Sequence, residues 1–294
     1  MTIEKILFPA KFKELSYETL ESLLVLEKAG MKEVVLCHVI LRDDVGFVPF
    51  GGYLKEEEEK LRTEARIRLE DWQRSLDEKG MKSKIEIYVG APVHGILVKA
   101  EEENVDLLVI GKKKSLGSDH SFLGPYGHEI VTRSKKPVLA ISHIAQFNWE
   151  EAELTRDNNM PFEMPMVVVD WSDVSQRVIE FVSTLKGAVK KVLVFHNIDT
   201  SKLKDASDMK NMEMECDAKL KVYCDQLRTA GIDAEPHTGA GSIFEEIIRV
   251  SREREASMII MGNTSGHRFL EKMLHRSISY EVARVSELPT LLVP

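Results

Sequence analysis

Four short landmarks occur twice in this chain of 294 residues, in the same order each time. Leu36-Cys37-His38 is matched by Val194-Phe195-His196, and Gly90-Ala91-Pro92 by Gly239-Ala240-Gly241. Ile110-Gly111 is matched by Met261-Gly262, and Lys136-Pro137-Val138 by Leu288-Pro289-Thr290. Ordered matches at so long a spacing mean a duplicated structural unit. The length agrees, at about twice the usual domain size of roughly 100 to 150 residues. The offset between copies is 158 at the histidines and close to 150 afterwards, so the second copy has the shorter excursion after its second strand.

Within each copy, short β-branched runs alternate with helical patterns, the signature of βαβ units on a parallel sheet. Ile6-Leu7-Phe8 opens the first copy. Leu20, Leu23 and Leu24 follow at helical spacing, with Ser16 as the N-cap and Gly30 as the stop. Strands are expected at Val34 to Ile40, Ile85 to Val89, Leu107 to Ile110 and Val138 to Ile141, with a long charged helix carrying Leu61, Ala65, Leu69, Trp72 and Leu76 on one face. The second copy repeats the pattern with a strand at Met166 to Val169, a helix through Val178, Phe181, Val182 and Leu185 stopped by Gly187, and a strand at Val192 to Phe195. The fold class is therefore α/β: two tandem doubly wound domains, each an open five-stranded parallel sheet flanked by helices. We place domain one at 1–144, a polar connector at 145–164 and domain two at 165–294.

Composition excludes several functions. The formal net charge is −8, and the Lys and Arg are interspersed with acids, so no basic stripe could follow a phosphate backbone and nucleic acid is not an expected partner. No apolar run reaches the roughly 18 residues of a membrane span. Nor does the N-terminal run have the length of a signal sequence. Three cysteines without a Cys-x-x-Cys pair fit a reducing cytoplasm. There is no Gly-x-Ser-x-Gly elbow, P-loop or His-Glu-x-x-His pair, so no catalytic or metal-ligating residues are expected and the chain reads as a non-enzyme. His38 and His196 sit at matching strand positions among apolar neighbours, where a hydrogen-bonded structural role is expected.

In an open α/β sheet, ligands bind beyond the carboxyl ends of the strands, where strand order reverses. The loop after the fourth strand of the second copy reads Gly262-Asn263-Thr264-Ser265-Gly266, nine residues, then Arg276-Ser277. Its counterpart reads Gly111-Lys112-Lys113-Lys114, nine residues, then Gly124-Pro125. Both are similar to the loop of the universal stress protein family: Gly, two residues, Gly, nine residues, then Gly with Ser or Thr. Such glycines let the backbone approach phosphates, and the following helix offers free N–H groups. The resemblance also implies an Asp after the first strand that contacts the nucleoside of a bound ATP. Asp170 keeps that residue, whereas Lys11 replaces it in the first copy.

Departures from the family pattern are uneven. In the first copy Lys114 replaces the middle glycine, and Pro125 removes both a hydroxyl and a backbone donor. In the second, one residue is inserted and Arg276 replaces a glycine, but Ser277 and Ser279 keep the hydroxyls. The resemblance therefore implies a site in the second domain built from Asp170, Met261, Gly262, Gly266, Ser277 and Ser279. Its ligand would be ATP or another adenine nucleotide, with or without magnesium. Lys112, Lys113 and Lys114 read either as anion anchors or as solvated cations.

The implied protein is a cytoplasmic stress-response sensor or adaptor that binds the nucleotide weakly or in one half. Two other readings stay open: an interaction protein in which both sites have decayed, with Gly262, Gly266 and Asp170 serving only as loop and cap residues, and an enzyme of the adenine nucleotide alpha hydrolase-like fold group. The resemblance further implies that Val138 to Ile141 meets Leu291 to Val293 within the chain, hiding two sheet edges in a pseudo-dimer. A protein partner, for which Met209, Met212 and Met214 are candidates, and further homodimerisation are also open.

Overall fold

The computed structural model describes residues 2–10, 16–45, 54–114, 121–142, 144–149, 152–200, 206–263 and 277–294. The first half runs β1 (Lys5–Pro9), α1 (Tyr17–Ser22), β2 (Glu33–Ile40), α2 (Lys55–Glu78), β3 (Lys82–Val89), α3 (Pro92–Glu102) and β4 (Leu107–Gly111). A two-residue ribbon of β5 (Lys113–Lys114) and β6 (Ser121–Phe122) then leads to α4 (Pro125–Arg133) and β7 (Val138–Ile141). A hairpin follows, β8 (Ile144–Trp149) with β9 (Ala152–Asp157). The second half runs β10 (Met166–Val168), α5 (Asp173–Ser183), β11 (Lys191–Ile198), α6 (Ala206–Thr229), β12 (Asp233–Ala240), α7 (Ile243–Glu253), β13 (Ile259–Gly262), α8 (Ile278–Val285) and β14 (Thr290–Val293).

Local chemistry explains the helix ends. The Ser16 hydroxyl accepts the Thr19 N–H, and the Ser172 hydroxyl accepts the Ser175 N–H, so both first helices begin on a serine N-cap. α1 does not run as one α-helix to its glycine. Its second part tightens into a 3-10 helix over Leu24–Ala29, ended by Gly30 at φ 108°. That left-handed value is open to glycine at little cost.

Each half is a parallel five-stranded sheet with its first strand in the middle, flanked on one side by the second and third strands and on the other by the fourth and fifth. Both faces are covered, so β1 reads as a continuous apolar run and not an alternating one. Phe8 belongs to the core on one face with Leu20 and Leu69, while Leu7 belongs to the core on the other with Ile96 and Ile130. Each of these two cores contains residues of both halves.

The halves join edge to edge. β7 pairs antiparallel with β14, with Ala140 opposite Thr290, Leu139 opposite Leu291 and Val138 opposite Leu292. The two five-stranded sheets thereby become one sheet of ten strands among the described residues. Leu139 and Leu291 are fully buried there. The outer edges, β3 and β12, carry charges instead: Lys84 pairs with Glu103 and Glu86, and Lys191 and Arg254 pair with Glu235. Charged edge strands resist pairing with another chain.

The stretch between the halves is more ordered than a polar connector. Its hairpin sets six residue pairs opposite each other in antiparallel register, from Ile144 opposite Asp157 to Trp149 opposite Ala152. Asn158 then anchors it, with its side-chain amide donating to the Ser142 carbonyl at 2.9 Å. The sequence did not announce this because Glu150-Glu151 between the limbs carries none of the Gly, Asn or Asp signals of a hairpin turn, and the strand-favouring Phe147 and Trp149 are interleaved with Gln146 and Asn148.

Leu291→Ala should cost about 2–5 kcal/mol through the cavity it leaves in the joint. The Ile67→Ala change on the exposed face of α2 should stay within about 0.5 kcal/mol. Urea titration of both variants checks this, and the loss in Leu291→Ala should appear as one cooperative transition and not as two.

Candidate functional site

Strand order reverses between β10 and β13, which pair in parallel with Val168 opposite Met261. Gly262 ends β13 and Asp170 lies two residues beyond β10, so the register brings both to the carboxyl edge of the second half. This is the crevice where open α/β sheets bind ligands.

Asp170 is exposed and held by the turn that starts α5. Its Oδ1 accepts the Ser172 N–H at 3.1 Å, the Ser172 hydroxyl, and the Ser175 hydroxyl at 2.7 Å. Its own N–H donates to the Ser175 Oγ at 2.8 Å. Partial burial pushes the carboxyl pKa up, but the hydrogen bonds from Ser172 and Ser175, helped by nearby His196, outweigh it and hold the group below its ordinary value. Asp170 is thus an ionised acceptor at neutral pH. Among the described residues, no hydrogen bond reaches its second oxygen.

The neighbouring residue is held in an unusual way. Trp171 has φ 64°, rare for a bulky side chain. Its ring lies 4.2 Å from the His196 ring and stacks near-parallel on Tyr223 at 5.8 Å, with the Lys219 Nζ 5.6 Å from its centroid. His196 is fixed in turn. Its Nδ1 bonds the Val169 carbonyl at 2.8 Å, as the Nδ1 of His38 bonds the Ala10 carbonyl at 2.8 Å in the first half. A carbonyl only accepts, so these nitrogens carry the proton. Both histidines staple the second strand to the loop after the first, the structural role expected of them.

The other site residues divide. Met261 buries its side chain in the core. Gly262 is required by packing, because a Cβ there would lie 2.4 Å from the Cγ1 of Val174 on α5. Ser277 is the N-cap residue of α8, and its hydroxyl is 2.7 Å from that of the buried Ser279. Gly266 lies outside the described residues, as does Lys11.

The first half differs more than expected. Lys112 is neither a solvated cation nor an anion anchor: it is 3% exposed and turned into the joint. Its Nζ donates to the Ser286 and Leu288 carbonyls of the second half, each at 2.8 Å. The matching Asn263 reaches the other way, donating to the Val131 carbonyl at 2.9 Å. Lys113 and Lys114 lie in the short ribbon. A cavity of about 300 Å³ opens beyond β2, lined by Ile40, Leu41, Leu61 and Ala65 together with Asp44, Glu64, Arg68 and Tyr126. With two carboxylates against one guanidinium, its lining does not favour a polyanion.

A family model described as the universal stress protein family matches residues 2–142 and again residues 165–294. The chain belongs to the universal stress protein family. Among curated relatives, universal stress protein MJ0577 of Methanocaldococcus jannaschii is 30% identical over 152 residues, covering 47% of this chain and 94% of that protein. A universal stress protein from Archaeoglobus fulgidus has the same fold over its whole length, with a TM-score of 0.73 at 20% identity, covering 100% of this chain and 99% of that one. A putative universal stress protein from Pseudomonas aeruginosa covers 99% of this chain and 93% of its own, with a TM-score of 0.67 at 13% identity. The relative from M. jannaschii is one domain long, whereas the two structures share the tandem arrangement.

In this universal stress protein, sequence reasoning missed Ser175 and Trp171 as parts of the Asp170 turn. The spacing Asp170-x-Ser172-x-x-Ser175 was the available signal, since hydroxyls two and five residues on can fold back to one carboxylate. Ser175→Ala should cost about 1 kcal/mol and let the Asp170 carboxyl rise towards its ordinary value. Because the folded-state pKa is depressed, Asp170 stabilises the fold at pH values above its ordinary range. That contribution is lost as pH falls through the lowered value. The stability difference between wild type and Asp170→Asn should therefore shrink in urea titrations taken from pH 7 to pH 3.

Proposed function

We propose that this universal stress protein binds an adenine nucleotide in its second half and acts as a sensor or adaptor, not as a catalyst. The observation that carries this reading is the Asp170 carboxylate. It is ionised, fixed by its turn at the strand-order reversal, and has one oxygen left over among the described contacts. Ribose hydroxyls are donors, and a carboxylate at this position of a doubly wound sheet is suited to accept them. The start of α8 at Ser277 supplies backbone N–H groups and a positive dipole end for phosphate. Among the described residues no cluster of His, Cys, Asp or Glu could hold a metal by itself. Magnesium would therefore arrive with the phosphates, its usual mode of binding.

A second reading is favoured by one specific observation. Gly262 is explained by its contact with Val174, without any ligand. In an interaction protein with decayed sites, Asp170 would likewise serve only to cap α5.

Calorimetric titration with ATP and magnesium separates the two readings. Binding should raise the melting temperature by several degrees at ligand concentrations near 100 times Kd, where linkage supplies about 2.7 kcal/mol. Asp170→Ala and Ser277→Ala should each weaken binding about tenfold or more, and Lys11→Ala should leave it within about twofold. No heat and no thermal shift at millimolar ATP would establish the interaction-protein reading. Equal loss from Lys11→Ala would move the site to the first half.

A further inference from the structure

Lys112 follows β4 directly, and its backbone N–H donates to the Ile141 carbonyl at 3.0 Å, so its position is fixed by the first half. Its side chain belongs to the second half. The Nζ lies 2.8 Å from the Ser286 carbonyl, 2.8 Å from the Leu288 carbonyl and 3.4 Å from the Thr290 hydroxyl. Lysine is rarely buried to this degree unless its charge is compensated. The charged group that faces it is Glu287, at the end of α8, and Glu287 is itself paired with Arg252 of α7. Glu287 therefore compensates Lys112 only in part.

Thr290 makes this arrangement unusual. It is fully buried in the joint strand β14, at the position matched by Val138 in the first half, so a hydroxyl replaces a methyl group beside the amine. The hydroxyl lies 3.3 Å from the Leu288 carbonyl and 3.4 Å from the Lys112 Nζ. When the lysine is an ammonium, its three N–H groups meet two carbonyls and the hydroxyl oxygen, while the hydroxyl proton points to Leu288. When it is a neutral amine, its two N–H groups keep the carbonyls, and the hydroxyl turns to donate to the lone pair. A single rotation thus satisfies either state without moving a heavy atom.

We propose that Lys112 is a proton-responsive tie between the two halves, which keeps the same three partners with or without its charge and holds the joint more tightly once neutral. Burial supports this by drawing the amine down to about 7, with Glu287 opposing. In the unfolded chain the same amine titrates near its ordinary value of 10.5. Between about 7 and 10.5 the unfolded state holds the extra proton, so stability rises with pH across that window and levels off below it.

The test uses the full chain with lysines labelled at ¹³Cε and followed by NMR from pH 5.5 to 10. One lysine signal should titrate with a midpoint near 7 and shift in Thr290→Val, which removes the hydroxyl but keeps the shape. In parallel, the unfolding constant of wild type relative to Lys112→Met should change roughly tenfold per pH unit between 7.5 and 9.5, favouring wild type as pH rises. Lysine signals that all titrate above pH 9 would overturn the proposal, as would a ratio of unfolding constants that stays flat. If Lys112→Met does not fold, the wild-type titration and its response to Thr290→Val decide the matter.

Discussion

The antiparallel pairing of β7 with β14 is the contact on which the rest of this molecule depends. A parallel five-stranded sheet ends in an open edge with unpaired N–H and C=O groups, a template for association with other chains. Here each half offers the other the same edge, so the two cancel. The pair of Leu139 with Leu291 carries the apolar layer on one face from one half into the other, and the pair of Val138 with Leu292 carries the layer on the opposite face. Once the joint forms, the helices α4 and α8 beside it meet as well, with His128 and Tyr280 packing edge to face at 4.4 Å.

A joint built from two copies of one edge would be symmetric if the copies were identical. These copies have diverged at the points of contact. Lys112 and Asn263 occupy matching positions and both reach across, but one brings a buried amine and the other a neutral amide. Thr290 and Val138 differ in the complementary way. Tandem fusion permits such differences, because each half always meets the other and never a copy of itself. A buried polar pair of this kind would be mismatched in any pairing of like with like.

The same divergence separates the two carboxyl edges. In the second half, Asp170 is held ionised by a serine turn next to an aromatic stack, at the point where strand order reverses. The first half has put Lys112 to use in the joint and retains a cavity with a mixed acidic lining. The chain is thus a member of the universal stress protein family in which one scaffold carries two unlike edges. The serine hydroxyls at Ser172 and Ser175 satisfy the cap of α5 and also set the charge state of Asp170.

Much of the fold was legible in the residues themselves. The repeated landmarks, the apolar periodicity and the stop at Gly30 are local or periodic signals, and they set the element order and the duplication, whereas the pairing that forms the joint followed from the resemblance to the universal stress protein family. The helix expected to run to Gly187 ends earlier, at Ser183. Asp170 and Gly262 were also readable as residues at the carboxyl ends of matching strands. What the sequence could not settle was what each side chain faces. Lys112 sits in a run of three lysines that locally reads as solvated, and only the closure of the joint, some 175 residues away in the chain, surrounds it with carbonyls. Gly262 looks like a phosphate-loop glycine until Val174 of α5 is seen against it. The hairpin after β7 needed backbone pairing that its mixed side chains do not encode. Periodicity determined the layers because it repeats along the chain, whereas burial, partner and charge state depend on groups that only the tertiary structure brings within a few ångströms.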